Sequence, residues 1–282
     1  MEILAHRGLE PSRRNFYSES SYEAFRDHLK RGFGVEFDPN FMRDGIVIAH
    51  DSTLERITLG RDKRSFSDLC VEEVLNVSLQ NGRFCTFDEL MDLIRASSSE
   101  VNALHFKGKY QNQANIDKLL EHLGRNSDLL ERLIIFDVRA ETARYLKERN
   151  ARLVLAPSVA DPYDIYRYNS YIYQTLMSVE EVIQQRELFD WVWMDEWDRN
   201  GKEGTDKKFY TAYNFERLKE EGIRIALVTP ELHATSPSLP AGESHQDALN
   251  EKILFDRVKE IIELGPDAIC TDYPEEILVK VI

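Results

Sequence analysis

The chain has 282 residues, 42% of them hydrophobic and 30% charged, and a formal net charge of −14. This length suits one large α/β barrel or two modest domains. The negative charge opposes nucleic-acid binding, and no apolar run is long enough to cross a bilayer, so we expect neither a nucleic-acid partner nor a transmembrane segment. The sequence shows no secretory signal, and its three cysteines lack metal-ligand spacing, which together predict a cytoplasmic location.

Short apolar, β-branched segments alternate with helical patterns along the chain. The predicted strands are Ile3–Ala5, Gly34–Phe37, Ala103–Lys107, Leu133–Asp137, Arg152–Ala156, Trp191–Asp195, Arg224–Thr229 and Asp267–Thr271, with a short additional strand at Ile46–Ala49. Strand–helix repeats pair in parallel through right-handed crossovers, and eight of them close a barrel. The pattern therefore predicts a TIM (β/α)8 barrel, one domain over residues 1–282, with a short insertion after the second strand.

Local signals mark helix starts and one long loop. Ser20, Thr86 and Ser178 each stand three residues before a glutamate, which is the spacing of a capping box. The stretch 230–250 carries Pro, Ser and Gly and follows the seventh strand. We therefore expect a long loop at the mouth of the barrel, where it would act as a lid.

Polar residues gather where the first strands end, the edge at which TIM barrels carry their active sites. They are His6 and Arg7, Glu36 and Asp38, His50 and Asp51, and His105 and Lys107. Because side chains alternate along a strand, Glu36 and Asp38 point the same way and form a compact oxygen site for a divalent cation. With histidines and basic residues nearby, the set predicts a phosphoryl-transfer centre. The structural alternatives are a simple turn at His50-Asp51 and two acids on a half-exposed strand.

These residues belong to an ordered set of motifs that resembles the glycerophosphodiester phosphodiesterase family. The motifs are His6-Arg7-Gly8, Glu19-Ser20, Glu36-x-Asp38, Gly45 with His50-Asp51-x-x-Leu54-x-Arg56-x-Thr58, Cys85-Thr86-Phe87-Asp88-Glu89-Leu90 and Thr271-Asp272-Tyr273-Pro274. They follow the family's order across nearly the whole chain. The resemblance implies a phospholipase-C-like TIM barrel. It also implies a hydrolase of lipid and glycerol metabolism that splits a glycerophosphodiester, or a similar small phosphodiester, into an alcohol and a phosphomonoester.

The resemblance also implies roles for the residues at the strand ends. It assigns acid–base catalysis to His6 and His50, phosphate binding to Arg7 and Lys107, and metal binding to Glu36 and Asp38. The third metal position, usually a glutamate, is His105 here. The family implies Mg²⁺ or Ca²⁺, whereas imidazole suits Mn²⁺ or Zn²⁺ better. Whether His105 binds the metal or only fills the place of the glutamate stays open.

Two other functions stay open at this point. One is a lyase that stops at a cyclic phosphate, as in the related sphingomyelinase-D-like toxins, which the absent secretory signal and few cysteines oppose. The other is a non-catalytic barrel that binds phosphorylated metabolites, with His105 marking decay of the metal site. The presence of both histidines and both acids opposes decay. We expect the tyrosine-rich segment 163–168 to line the mouth or to form a subunit contact of a homo-oligomer.

Overall fold

The computed structural model describes residues 1–235 and 245–282, with the backbone alone described for residues 233–235. The strands in this part of the chain are β1 (Glu2–His6), β2 (Gly34–Phe37), β3 (Pro39–Phe41), β4 (Ile46–Ile48), β5 (Cys85–Thr86), β6 (Asn102–His105), β7 (Leu133–Phe136), β8 (Val154–Leu155), β9 (Ser158–Ala160), β10 (Leu176–Met177), β11 (Trp191–Asp195), β12 (Arg224–Val228) and β13 (Ala268–Thr271). The α-helices are α1 (Tyr22–Lys30), α2 (Val71–Leu75), α3 (Phe87–Arg95), α4 (Gln113–Arg125), α5 (Ala140–Arg149), α6 (Pro162–Tyr168), α7 (Val179–Gln184), α8 (Ala212–Glu220), α9 (Glu251–Glu263) and α10 (Pro274–Lys280). Among the described residues no helix is long and apolar enough to cross a membrane.

Ten strands form one curled sheet in the order β10-β9-β11-β12-β13-β1-β2-β6-β7-β8, and every pair in it is parallel. β8 and β9 are two halves of one barrel strand, and β10 is a short addition beside β9, which leaves eight barrel positions. The predicted single-domain TIM barrel is therefore confirmed.

The fifth barrel strand differs from the prediction, which placed one strand at Arg152–Ala156. It is interrupted at Pro157, which has no N–H to donate to a strand ladder. Backbone bonds from Ala156 N to Ile135 O at 2.9 Å and from Trp193 N to Pro157 O at 2.9 Å tie the interruption to both neighbouring strands. The interruption therefore does not open the barrel.

Alternation along the strands sorts their side chains into two apolar layers. One layer packs the outside of the sheet against the helices, with β1 contributing Ile3 and β2 contributing Phe37. The other fills the inside of the barrel and includes Leu4, Phe136 and Trp193. Polar side chains that continue the inner rows therefore emerge at the carboxyl ends of the strands, as expected for this fold.

The insertion after β2 is a small lobe with its own sheet and core. β3, β4 and β5 pair antiparallel, and an apolar cluster that includes Val47, Leu54, Phe66 and Phe84 packs beside them. The predicted additional strand is β4, whereas β3 and β5 were not predicted. Because β4 ends at Ile48, the lobe delivers the following residues to the barrel mouth.

Helix capping follows the prediction at two of three sites. Thr86 and Ser178 form full capping boxes with Glu89 and Glu181. The box at Ser20 is wrong: Ser21 caps α1 instead by accepting from Ala24 N, and Ser20 takes a left-handed φ of 55°. In the predicted lid, 3₁₀ helices span Pro230–Thr235 and Gln246–Ala248. Residues 236–244 lie outside the described part of the chain, so the lid stays a prediction.

Candidate active site

The barrel brings the predicted residues to one mouth. His6 ends β1 and lies opposite Glu36 of β2 in the parallel register. Asp38 follows β2 directly, and His105 ends β6 beside it. Lys107 lies beyond β6 rather than inside the predicted strand, yet its Nζ is 3.0 Å from Asp38 Oδ1. Sequence-distant groups thus converge within ion-pair distance of one carboxylate.

Each candidate catalytic histidine is paired with an aspartate. His6 Nδ1 is 2.7 Å from Asp272 Oδ1, and His50 Nδ1 is 2.7 Å from Asp51 Oδ1. A carboxylate at Nδ1 favours the tautomer with the proton on that nitrogen, which leaves Nε2 as the nitrogen that can accept a proton. Asp51 is held in turn by Arg56, whose Nε lies 2.6 Å from Asp51 Oδ2.

Burial keeps both rings neutral near neutral pH. For His6, burial and then the charge of Arg7 hold the pKa well below its ordinary value. For His50, burial and then Lys107 do the same. Each ring therefore starts as a base whose tautomer an aspartate has set.

The two acids between the histidines carry opposite pKa shifts. Burial alone would raise the pKa of Asp38, but Lys107, His50 and His105 outweigh it and hold that pKa well below its ordinary value. Burial and the neighbouring Asp38 carboxylate raise the pKa of Glu36 instead. A bound cation would favour the charged form of Glu36, which burial and the neighbouring carboxylate oppose.

The donor set fits a divalent cation. One ligand atom each of Glu36, Asp38 and His105 lies within 4.8 Å of the others. Asp38 Oδ2 is buried and accepts no hydrogen bond from the described residues, and Arg7 Nε stands 3.8 Å from it. Two carboxylates with one imidazole form a mixed set, which suits Mn²⁺ or Zn²⁺ better than Ca²⁺.

Its surroundings hold the His105 ring in a fixed orientation. The ring stacks on Phe136 with centroids 4.5 Å apart, and Phe136 stacks on Trp193 at 3.8 Å. Nδ1 lies 3.0 Å from Asp38 Oδ1, and Nε2 lies 3.4 Å from Asp137 Oδ2. A carboxylate behind the far ring nitrogen is the usual support of a metal-binding histidine.

The same contacts allow His105 to be a cation itself. Burial would lower its pKa, but hydrogen bonds to Asp137 and Asp38 outweigh burial and raise the pKa to about 9. Without a metal, a protonated ring would therefore place a positive charge beside Asp38. The geometry is compatible with both predictions for His105, a ligand and a replacement.

A cavity of about 750 Å³ opens outward from these groups. Its lining includes His50, His105 and Lys107 at the strand ends, together with Lys109 and residues 171–173. Burial and then Lys107 lower the pKa of Lys109 to about 8. The mouth thus offers cationic groups to an anionic substrate despite the negative charge of the whole chain.

The segment 171–173 packs closely on the loop after β6. A Cβ built on Gly108 would lie 2.7 Å from Tyr173 Cβ and 2.8 Å from Ile172 O. Only glycine permits this approach, because real Cβ atoms do not come so close to backbone atoms. The aromatic wall of the cavity therefore depends on a residue that follows Lys107 directly.

Sequence reasoning missed Asp137 and Gln111. The sequence predicts that Asp137 ends a strand, but Asp137 follows β7 with a φ of 66°, an unusual backbone for a residue other than glycine. Gln111 Nε2 donates to Asp137 O at 2.7 Å and to Phe106 O at 2.8 Å. The signal for Asp137 was its position at a strand end, whereas no sequence signal identified Gln111.

Two residues that follow β11, Glu196 and Trp197, have structural partners. Trp197 stacks on Tyr168 with centroids 4.7 Å apart and packs in a small apolar cluster. Glu196 lies near His245 and Asp247 in a second group with metal-ligand chemistry, but Glu196 Oε1 already accepts from Arg257 Nη2 at 3.1 Å. Asp247 is similarly paired with Arg199. This second group is an ion-pair network.

Fold and mouth together define a TIM-barrel enzyme with its polar groups at the carboxyl ends of the strands. The sequence profile described as the glycerophosphoryl diester phosphodiesterase family matches residues 6–276, and the chain belongs to that family. It is therefore a phosphodiesterase, and the resemblance inferred from the motifs is confirmed.

Solved structures agree on the fold. A candidate glycerophosphodiester phosphodiesterase from Galdieria sulphuraria is 17% identical with a TM-score of 0.69, covering 99% of this chain and 97% of that one. A glycerophosphoryl diester phosphodiesterase from Parabacteroides distasonis is 20% identical with a TM-score of 0.63, covering 100% and 87%. A phosphodiesterase from Oleispira antarctica, solved with the product sn-glycerol-3-phosphate, is 16% identical with a TM-score of 0.64, covering 99% and 96%. No curated protein sequence matches the chain significantly.

Proposed function

We propose that the chain hydrolyses a glycerophosphodiester, or a similar small phosphodiester, to an alcohol and a phosphomonoester, with His6 and His50 as the acid–base pair. The observation that carries this proposal is the pairing of both histidines with aspartates through Nδ1 at 2.7 Å, at a mouth that also holds Arg7 and Lys107. Two neutral imidazoles with fixed tautomers suit proton transfer at neutral pH.

The reaction needs one histidine in each protonation state. One neutral ring accepts at Nε2 the proton of the attacking hydroxyl, which is the neighbouring hydroxyl of the substrate by family resemblance. The new O–P bond forms as the bond to the leaving alcohol breaks, and the other ring, protonated, gives its proton to that oxygen. A bound phosphodiester anion favours this protonated state by its own charge. Water then opens the cyclic phosphate with the two roles exchanged.

Cationic groups at the mouth stabilise charge on the phosphoryl oxygens. Arg7 is suited to hold two oxygens at once, and Lys107 acts as a single charge. A divalent cation held by Glu36, Asp38 and His105 would supply further positive charge to the same oxygens. We propose Mn²⁺ or Zn²⁺ as that cation because of the imidazole ligand.

Turnover of bis(p-nitrophenyl) phosphate and of glycerophosphodiesters tests the proposal, with EDTA and with Mg²⁺, Ca²⁺, Mn²⁺ and Zn²⁺ in turn. We expect His6→Ala and His50→Ala each to lower kcat by roughly 10²–10⁴-fold. His122→Ala is the matched control, since His122 also pairs with an aspartate, Asp88 at 3.1 Å, but away from the mouth. Loss of activity in all three variants, or in none, contradicts the assignment.

Product analysis and metal binding separate the alternatives. A cyclic phosphate as the final product, seen by ³¹P NMR, would make the chain a lyase. No turnover with any metal, together with no metal binding by calorimetry, would leave a phosphometabolite-binding barrel. If His105 is a ligand, His105→Glu should shift the metal-binding preference from Mn²⁺ and Zn²⁺ towards Mg²⁺ and Ca²⁺. An unchanged preference would show that His105 only occupies the place of the glutamate and does not bind the metal.

A further inference from the structure

A buried carboxyl group stands behind the His6–Asp272 pair without a part in the steps above. Glu231 lies in the 3₁₀ helix Pro230–Thr235, directly after β12, and is 6% exposed. Its Oε1 accepts three hydrogen bonds: from Thr229 Oγ1 at 2.6 Å, from Asp272 N at 3.1 Å, and a short one from Thr271 Oγ1. A single oxygen therefore joins the end of β12 to the end of β13.

These bonds fix the backbone that carries the partner of His6. Asp272 follows β13, and its position depends on how residues 271 and 272 leave the strand. Glu231 holds the backbone N–H of Asp272 and the hydroxyl of Thr271, and Thr271 Oγ1 accepts in turn from Tyr273 N at 3.1 Å. The turn at the end of β13 is thus fixed by the side chain of Glu231, which does not belong to that strand.

We infer that Glu231 is a positioning residue for His6. It holds Asp272 so that the carboxylate faces Nδ1 of His6, and thereby keeps the proton on Nδ1 and the acceptor at Nε2. This inference rests on the proposed role of His6 in acid–base catalysis.

Burying the Glu231 carboxyl group beside Asp272 is unfavourable, so Glu231 contributes more than packing. Burial and then the neighbouring Asp272 raise the pKa of Glu231 to about 7. A buried acid beside another acid is unfavourable, and the three hydrogen bonds that Oε1 accepts offset that cost. What the acid provides, and an apolar residue does not, is the acceptor that holds residues 271 and 272.

The test follows the His6 ring directly by NMR of protein labelled with ¹⁵N-histidine. The Nδ1–H signal of His6 is assigned by its loss in His6→Asn. We compare Glu231→Ala, Glu231→Leu, which preserves volume in case the alanine variant fails to fold, and Glu231→Gln, which retains an oxygen acceptor. Glu181→Ala is the control, since Glu181 Oε2 also accepts a backbone N–H, that of Ser178 at 2.8 Å, away from the mouth.

We expect the Nδ1–H signal to persist in Glu231→Gln and Glu181→Ala and to disappear or broaden in Glu231→Ala and Glu231→Leu. In those two variants kcat should fall on the order of 10- to 100-fold with little change in KM, because a supporting group is lost rather than a substrate contact. A retained signal with kcat within about twofold in folded Glu231→Leu would overturn the inference. If the wild-type chain has no turnover, the NMR comparison still decides the positioning role, and only the proposed function fails.

Discussion

The buried ion pair between Glu196 and Arg257 gives the sharpest stability prediction. Their side chains are 1% and 7% exposed, and Arg257 Nη2 lies 3.1 Å from Glu196 Oε1. Arg257→Met keeps most of the aliphatic volume but leaves the Glu196 carboxylate buried without its guanidinium. Removing one member of such a pair typically costs about 3–5 kcal/mol.

The surroundings of Glu196 place the expected loss at the lower end of that range. Its Oε2 still accepts the backbone N–H of Tyr210 at 3.2 Å and that of Phe209. We therefore expect a loss of about 3 kcal/mol in the free energy of unfolding, or a Tm lower by roughly 6–12 °C for a domain of this size.

Thermal unfolding followed by circular dichroism measures this difference. Arg152→Met is the matched control, because Arg152 and Glu131 form a surface pair with side chains 57% and 77% exposed, and its Tm should not change measurably. Adding Glu196→Gln to Arg257→Met should recover part of the loss, since the unpaired charge is then removed. Equal Tm shifts for Arg257→Met and Arg152→Met, or a double variant less stable than Arg257→Met alone, would refute the reasoning.

Three further predictions concern the mouth and one buried histidine. Gly108→Ala should push segment 171–173 outward and lower the free energy of unfolding by about 1–3 kcal/mol. It should also raise KM more than it lowers kcat. Unfolding experiments and steady-state kinetics measure these changes, and an unchanged KM would contradict the prediction. Arg56→Met should loosen Asp51 behind His50 and lower kcat by about tenfold at constant KM, and full activity would show that Asp51 needs no such support. Burial lowers the pKa of His28 from 6.5 to about 4. Between pH 6.5 and pH 4 the unfolded chain therefore binds a proton at His28 that the folded chain does not, so the stability of the fold decreases as the pH drops through this range. His28→Leu should remove up to about 3 kcal/mol of that acid sensitivity in urea titrations, whereas parallel pH profiles would contradict the assignment.

The sequence predicts the fold well where periodicity is strong. Buried parallel strands such as Leu133–Phe136 are short apolar runs, and their alternation with helices identifies a barrel. The half of the fifth strand that follows Pro157 was not predicted, because only pairing with β11 continues the strand beyond the proline. β3 and β5 escaped prediction for a similar reason, since such short strands exist only through the sheet of the inserted lobe.

In the candidate site, too, the sequence predicts some residues and misses others. His6, Glu36, His50 and His105 were recognisable because their residue types recur at strand ends in an ordered set of motifs. The supporting residues were not, because Asp137 and Glu231 act through neighbours that only the folded chain supplies. The pairing of His6 with Asp272 is likewise a property of barrel closure, whereas His50 and its partner Asp51 are adjacent in the sequence.

The pairing of His6 with Asp272 joins residues 266 positions apart, across the seam where β1 meets β13. Contacts of such separation form slowly, because the chain must close a very long loop before they contribute. During synthesis the early strands and the inserted lobe leave the ribosome first, and the aspartate of this pair is missing until residue 272 has emerged. Recovery of the His6 Nδ1–H signal during refolding would therefore time the final step of barrel assembly.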